Sequence, residues 1–465
     1  MGKKRVRCTF LVRYIVNLSI SWVGDWVNKA VMKLIEFELS PRFLMTLLAI
    51  TCLAGCGGSG SSSTPDDEVQ PLQTKAELGK SLFFDKSLSF DRTQSCATCH
   101  NPEKSFVDSR SNNSTLGSLP AAGSLGDDQS SIGDRNAPTA AYAAFSPKFY
   151  EGTRPRAASQ QTSGIGDYQG FLGGQFLDGR AANLQAQAGG PPLNPVEMNM
   201  PSKAAVVDRL LENSEYVTAF EDFYGVEIFN DTEAAYAAMT ESIAAFESKD
   251  KETFYPFDSK YDRFLAGDYT YSPISKASLG KARFFSSDLT CAACHQLREL
   301  GNKGEVFSSF EYHNIGVPVN TKLREANGVT ALDNGLFNNP AVNKDENQKG
   351  KFKTPILRNI AVTAPYMHNG IFNDLETVIH FYQHAKEKAL NIKTGAAIEI
   401  VNNPETGLPW GDAEVNQNIE HDLLGGNDIN LNDAEVEAMV CFLMSLTDAR
   451  YEHLLDPAKV TSCGL

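Results

Sequence analysis

The sequence predicts an all-α protein of two related units with long loops, set behind an export signal and a flexible tether. Three observations carry that reading. Leu-Gly-Lys-x-x-Phe-Phe occurs at 78–84 and again at 279–285, and each copy runs into a Cys-x-x-Cys-His motif. Two copies indicate a duplicated domain rather than a solenoid, which needs more repeats. Long segments rich in Ala, Glu and large apolar residues follow helical spacing, and few segments alternate with the period of two that a strand requires.

Residues 1–55 hold eight Lys or Arg against three acidic residues, then an apolar run from Phe43 to Leu53. A basic start, a short apolar core and small residues before a cut site make an export signal, because spanning a membrane takes about 20 apolar residues. Leu53-Ala54-Gly55-Cys56 resembles the bacterial lipobox, which makes Cys56 the lipidated first residue of the mature chain. Residues 56–70 include Gly-Gly-Ser-Gly-Ser-Ser-Ser-Thr at 57–64 and read as a tether to a lipid anchor. The non-acidic Gly57 after that Cys suits the outer membrane, facing the periplasm or the cell surface. Without residues 1–55 and their net +5, the chain carries −20 instead of −15. That argues against nucleic acid and anionic membrane surfaces, and suits a basic protein partner or simple solubility.

A body of this length holds two or three domains, and the repeat divides it into 71–260 and 261–465. Residues 203–248, 363–383 and 432–446 read as helix, the last opened by Asn432-Asp433-Ala434-Glu435 as an N-cap arrangement. Segments 109–131 and 151–174 read as long loops of the kind that cover a site or meet a partner.

Of nine cysteines, Cys8 and Cys52 lie in the signal, Cys56 takes the lipid and four belong to the repeated motifs. Cys441 and Cys463 remain, either as a disulfide in an oxidising compartment or as two buried thiols. The motifs themselves are Cys96-Ala97-Thr98-Cys99-His100 and Cys291-Ala292-Ala293-Cys294-His295. In this pattern the two thiols add to the vinyl groups of a porphyrin and the next His reaches the iron, so the chain is expected to carry two covalently bound haem c groups. Zinc sites or redox dithiols would need further Cys or His pairs at ligand spacing, and the sequence has none.

Around the motifs, four segments are distinctive: Gly133-Asp134-Arg135-Asn136-Ala137-Pro138-Thr139, Phe176-Leu177-Asp178-Gly179-Arg180, Pro195-Val196-Glu197-Met198, and Thr354-Pro355-Ile356-Leu357-Arg358-Asn359 running into Ala364-Pro365-Tyr366-Met367-His368-Asn369-Gly370. With them the chain resembles the dihaem cytochrome c peroxidase family, MauG-type members included, from about Leu78 to Thr447. The resemblance implies that the His100 haem is the peroxide-reacting centre, with Glu197 as its distal acid/base and Gln187 as a distal hydrogen-bonding residue. Splitting an O–O bond needs those parts: an open iron position, a proton carrier and a donor for developing charge. The His295 haem becomes the electron-transfer centre. A calcium ion between the haem domains is implied at Asn136, Thr363 and Pro365, and Arg358 and His368 are assigned to haem propionates or interdomain packing.

Three departures from the family pattern matter. No His lies between His100 and His295, so the distal His of reductively activated peroxidases has no counterpart. The family's axial Met on the second haem aligns with Tyr382, the MauG pattern, although His380 or His384 stands close enough in sequence to ligate instead. An anionic phenolate lowers a haem potential that Met would raise. The family's Trp between the haems is Leu177 here, which leaves Tyr366 and Tyr168 as replacement relays or direct tunnelling. The implied function is a peroxidase reducing hydrogen peroxide with electrons from a small soluble redox protein. Its alternatives are a MauG-like enzyme that oxidises Trp or Tyr of a partner protein, and a plain electron-transfer cytochrome; a homodimer is also expected.

Overall fold

In the computed structural model, residues 71–110, 122–157, 160, 165–298, 301–395, 402–424 and 431–465 are described. The expected export signal, Cys56 and the tether lie outside them, as do residues 111–121 of the first long loop. The repeat appears as a repeated helix crossing. Lys75–Phe84, opened by Thr74 and Glu77 as a capping box, lies across Thr232–Lys249. Lys276–Phe284, capped by Ser275, lies across Asp433–Met444 in the same way.

Glycine decides how closely these pairs approach. A Cβ on Gly79 would fall 1.8 Å from the Ser242 carbonyl oxygen, and one on Gly280 would fall 1.8 Å from that of Ala438. Any side chain there would push the helices apart. Around the first crossing Leu78, Leu82, Phe83, Phe106, Phe246 and Phe254 are buried; around the second, Phe284, Phe307, Met439, Phe442 and Leu443. Each fully buried Leu or Phe contributes on the order of 1.5–3 kcal/mol. The first core also takes in Val306 and Phe310 from the chain beyond the second haem motif, which ties the halves together. Cys441 and Cys463 form a disulfide.

The helix-rich architecture agrees with the all-α expectation in its coarse form, and three local differences have physical causes. Segment 203–248 is three helices, not one, because Asn213 and Asp231 cap new starts and Gly225 turns the chain at φ 101°. The expected helix at 363–383 begins only at Leu375, capped by Asp374, and continues to Thr394. Pro365 lacks the N–H a helix needs, and Met367 and Gly370 adopt positive φ. Segment 151–174 contains an antiparallel pair, β1 (Tyr150–Arg154) and β2 (Tyr168–Leu172), in place of unbroken loop. A second small pair joins β3 (Tyr312–His313) to β4 (Phe352–Lys353). Among the described residues no helix is long and apolar enough to cross a membrane.

Candidate functional site

Each Cys-x-x-Cys segment is one short helical turn, Cys96–Cys99 and Cys291–Cys294, closed by the following His N–H on the first Cys carbonyl. Both imidazoles are then held alike. His100 Nδ1 donates to the Phe106 carbonyl at 3.1 Å, and His295 Nδ1 donates to the Phe307 carbonyl at 3.0 Å. Phe106 and Phe307 share the same uncommon left-handed backbone conformation, φ 57° and 59°. A carbonyl can only accept, so the proton sits on Nδ1 and the Nε2 lone pair is free, as an iron ligand requires. Burial favours the neutral ring at both, holding His100 below its usual pKa and His295 down to about 4.

The four motif cysteines are unpaired among the described residues. Burial pushes Cys96 and Cys99 up to about 12 and Cys291 up to about 11, so they are poor thiolates and well suited to being consumed as thioethers. Cys294, Glu311 and His313 bring ligand atoms within 4.8 Å of one another. Glu311 is already paired with Arg154 and Arg156, and His313 is bracketed by Glu311 and Glu420, so this set is neutralised from within.

In the first half, Glu197 follows a turn in which its N–H donates to the Asn194 carbonyl, and Asn194 Nδ2 donates to its Oε1 at 2.9 Å. Burial raises the Glu197 pKa against the opposing pull of Arg180, and its charge reaches both Cys96 and Cys99. The carboxyl expected to work at the first haem thus lies within electrostatic reach of the first haem motif. Gln187 lies half-buried on the helix Leu184–Ala188, whose end is joined to the Glu197 turn through Gly190 N–H to Gln187 carbonyl and Met198 N–H to Pro191 carbonyl.

In the second half, Cys291, Cys294, His295 and Tyr382 line one cavity of ≈ 370 Å³ with Phe284, Leu289, Met439 and Leu443. Tyr382 faces it from the helix Leu375–Thr394; His380 and His384 are not among its walls, and His384 instead stacks on Trp410. Burial raises the Tyr382 phenol, with the thiols of Cys294 and Cys291 adding to the rise. Its ionisation needs a nearby cation, which a ferric iron would be. The apolar walls, a carbonyl-held imidazole and a facing phenol fit a haem.

The same cavity reaches Asn136, Thr363, Pro365, Leu177 and Tyr366. Asn136 Nδ2 donates to the Pro365 carbonyl at 2.7 Å, and the Asn136 N–H donates to the His368 carbonyl. The three residues expected to hold calcium thus share one wall. Tyr366 donates its hydroxyl to the Ile360 carbonyl, whereas Tyr168 lies off the cavity, edge-on to His313. His368 lines the cavity against Phe352 and Glu414. Arg358 also lines the cavity, and it is fully buried, paired with Asp262, bonded to the Glu305 carbonyl and laid over Tyr142, Phe257 and Phe307, contacts that serve packing between the halves.

One residue escaped sequence reading. Glu247 is 6% exposed, its carboxyl has no hydrogen bond among the described residues, and it is pushed up to about 8 by burial alone. Its charge is the largest carboxylate influence on Cys96. Matching Gly79 over Ser242 to Gly280 over Ala438 sets Phe246-Glu247 on Phe442-Leu443. Glu247 therefore occupies the place of a cavity-lining Leu in the other half.

The di-haem cytochrome c peroxidase family profile matches residues 73–270. The methylamine utilization protein MauG of Paracoccus denitrificans is 43% identical over 420 residues, spanning 90% of this chain and 98% of that protein. Cytochrome c551 peroxidase of Pseudomonas aeruginosa is 30% identical over 319 residues, 68% of this chain and 74% of that one. The crystal structure of the diheme peroxidase BthA from Burkholderia thailandensis matches with a TM-score of 0.66 at 27% identity, covering 84% of this chain and 90% of that one. Likeness that runs through both halves, over almost the full length of a relative, exceeds what a shared attachment motif would give, and the chain belongs to the dihaem cytochrome c peroxidase family of oxidoreductases, which implies two c-type haems.

Proposed function

We propose that the chain is a dihaem c-type peroxidase that reduces hydrogen peroxide at the haem of Cys96, Cys99 and His100, with electrons relayed through the haem of Cys291, Cys294 and His295. The observation that carries this is the difference between the halves: a half-buried carboxyl lies near enough to the first motif for its charge to act on both thiols, and a phenol lines the cavity of the second. The haem at His100 would supply a redox-active iron with one position for peroxide. The chain supplies the proton handling. Glu197 takes a proton from one peroxide oxygen and returns it to the other, which departs as water. Its burial keeps proton affinity high enough for the return, and Asn194 fixes its direction. The Gln187 amide donates to the charge that develops as the O–O bond parts. Absence of any His in 101–294 leaves the reacting position to substrate. A second haem would be held by Cys291, Cys294, His295 and Tyr382, and Asn136, Thr363 and Pro365 offer the oxygen ligands that calcium prefers.

Electron paramagnetic resonance of the oxidised protein as isolated tests this. One high-spin and one low-spin haem are expected; two low-spin haems would remove the open position and the proposal with it. A second reading, oxidation of Trp or Tyr side chains of a partner protein, is favoured by Tyr382 on the cavity wall and by 43% identity across 98% of MauG. Slow turnover with a ferrous cytochrome alongside a long-lived oxidised state would select it, and no peroxide turnover at all would leave plain electron transfer. Anchoring through Cys56 at the outer membrane belongs to the same proposal, and fatty-acid labelling lost in Cys56→Ala tests it.

A further inference from the structure

Trp410 is the only Trp among the described residues; Trp22 and Trp26 fall in the first 55. It is half-buried within an otherwise exposed stretch, Pro404–Asp412, where Leu408 is 63% exposed. That stretch is tied to the start of the helix carrying Tyr382, because Glu405 accepts from the Asn373 and Asp374 N–H groups, both at 2.8 Å. The indole stacks on His384 at 5.5 Å and 17°, and meets Phe372 and Phe381 edge-on at 5.7 and 5.8 Å. Phe381 lies 6.1 Å from the Tyr382 ring, and Tyr382 lines the cavity with Cys291, Cys294 and His295. Two ring-to-ring steps thus join the outer surface to the second haem site.

We propose that Trp410 is the surface residue through which a protein electron donor reduces the second haem. This rests on the dihaem reading above and adds the point of entry to it. Indole is the oxidisable ring at the outer end of this path and the Tyr382 phenol the one at its inner end, and Phe381 shortens the gap between them without being oxidised itself. Trp410 gives one electron to the oxidised haem site and regains one from the donor's one-electron centre. Its Nε1 is buried without a hydrogen-bond partner, so the proton stays on the ring and no bond forms or breaks there. Two such electrons and two protons convert one hydrogen peroxide to two waters. The exposed Leu408 gives the donor an apolar contact beside the indole, and the acidic chain suits a basic donor.

The test uses the full holoprotein, hydrogen peroxide and a reduced, basic mitochondrial-type cytochrome c. In W410F, both haems should show native absorption and react with peroxide at the native rate, while re-reduction by the cytochrome slows about tenfold or more. W410Y, which keeps an oxidisable ring, should recover part of the loss. With peroxide and no donor, the wild-type peptide containing residue 410 should gain oxygen, and excess cytochrome should suppress that gain. Native re-reduction in W410F would overturn the proposal, as would equal slowing in W410F and W410Y, since packing would then set the rate. A wild-type protein inert to peroxide would instead overturn the dihaem peroxidase reading, and this proposal with it.

Discussion

Glu247 gives the most quantitative prediction, because its proton affinity is set by burial alone. In the folded protein it titrates at about 8, against 4.5 for the free side chain. Between those values the folded state holds a proton that the unfolded chain releases, so stability falls as pH rises from 4.5 towards 8. Below 4.5 both states are protonated and the penalty vanishes. At 1.36 kcal/mol per unit the penalty at pH 8 and above is bounded at about 5 kcal/mol, and water entry and relaxation leave about 2–3 kcal/mol. Glu247→Leu installs the residue that the other half uses, at similar volume and without a cavity. The variant should therefore match wild type in guanidinium unfolding of the holoprotein at pH 5 and exceed it by that margin at pH 8. An equal gain at both pH values would assign the effect to packing, and a loss at pH 8 would mean that the carboxylate has a stabilising partner.

Other expectations concern the haem faces. Glu197 must be ionised to accept a proton, so the rate of reaction with peroxide should rise with pH through a midpoint above the usual carboxylate range, and Glu197→Gln should lower it about 10²–10⁴-fold and flatten the profile. Tyr382→Met should raise the potential of the second haem in a spectroelectrochemical titration and alter its low-spin spectrum; an unchanged spectrum would turn attention to His380 or His384. Leu177 lines the cavity at the position where the family resemblance implies a Trp, so Leu177→Trp should speed electron transfer between the haems after one equivalent of peroxide in stopped flow, and an unchanged rate would show that the position has no part in it.

Local signals read well where one residue type does one job. Asn432 with Glu435 forms the capping box its spacing promised, and the two glycines of the repeat lie at the helix crossings. Reading failed where distant contacts decide. Tyr150–Arg154 pairs with Tyr168–Leu172 although neither strand has a buried face to impose alternation; their residues are mostly half-buried or exposed. What holds that ribbon in place is Arg154 and Arg156, which reach the Glu311 carboxylate and the Ala293 carbonyl. Partners that lie more than a hundred residues apart leave no periodic trace in a single sequence. The 363–374 segment misled for the opposite reason: its apolar residues have helical composition, but Pro365 and the positive φ at Met367 and Gly370 belong to the loop that brings Pro365 to Asn136.

The repeat made the frame of the site legible in the sequence, and the departures from it carry the difference between the halves. Phe83 and Phe284, Phe106 and Phe307, and Phe246 and Phe442 are kept in both halves, because backbone-to-backbone helix packing and a carbonyl held at the proximal imidazole tolerate little change. These shared positions define one frame used twice and say nothing about which copy reacts. The differences say that. Glu247 replaces Leu443 on one crossing helix, and Tyr382 lines the cavity of the second motif while the charge of Glu197 acts on the first. An unpaired carboxyl in an apolar wall costs stability, as the Glu247 titration makes measurable, so its presence in one copy alone calls for a cause in the chemistry of that copy. The helix crossings at Gly79 and Gly280 set Ala245-Phe246-Glu247 against Cys441-Phe442-Leu443, a match that the differing spacing from each glycine hides in the sequence. Duplicated folds therefore carry an internal control: residues held in both copies report the frame, and residues found in one report its function.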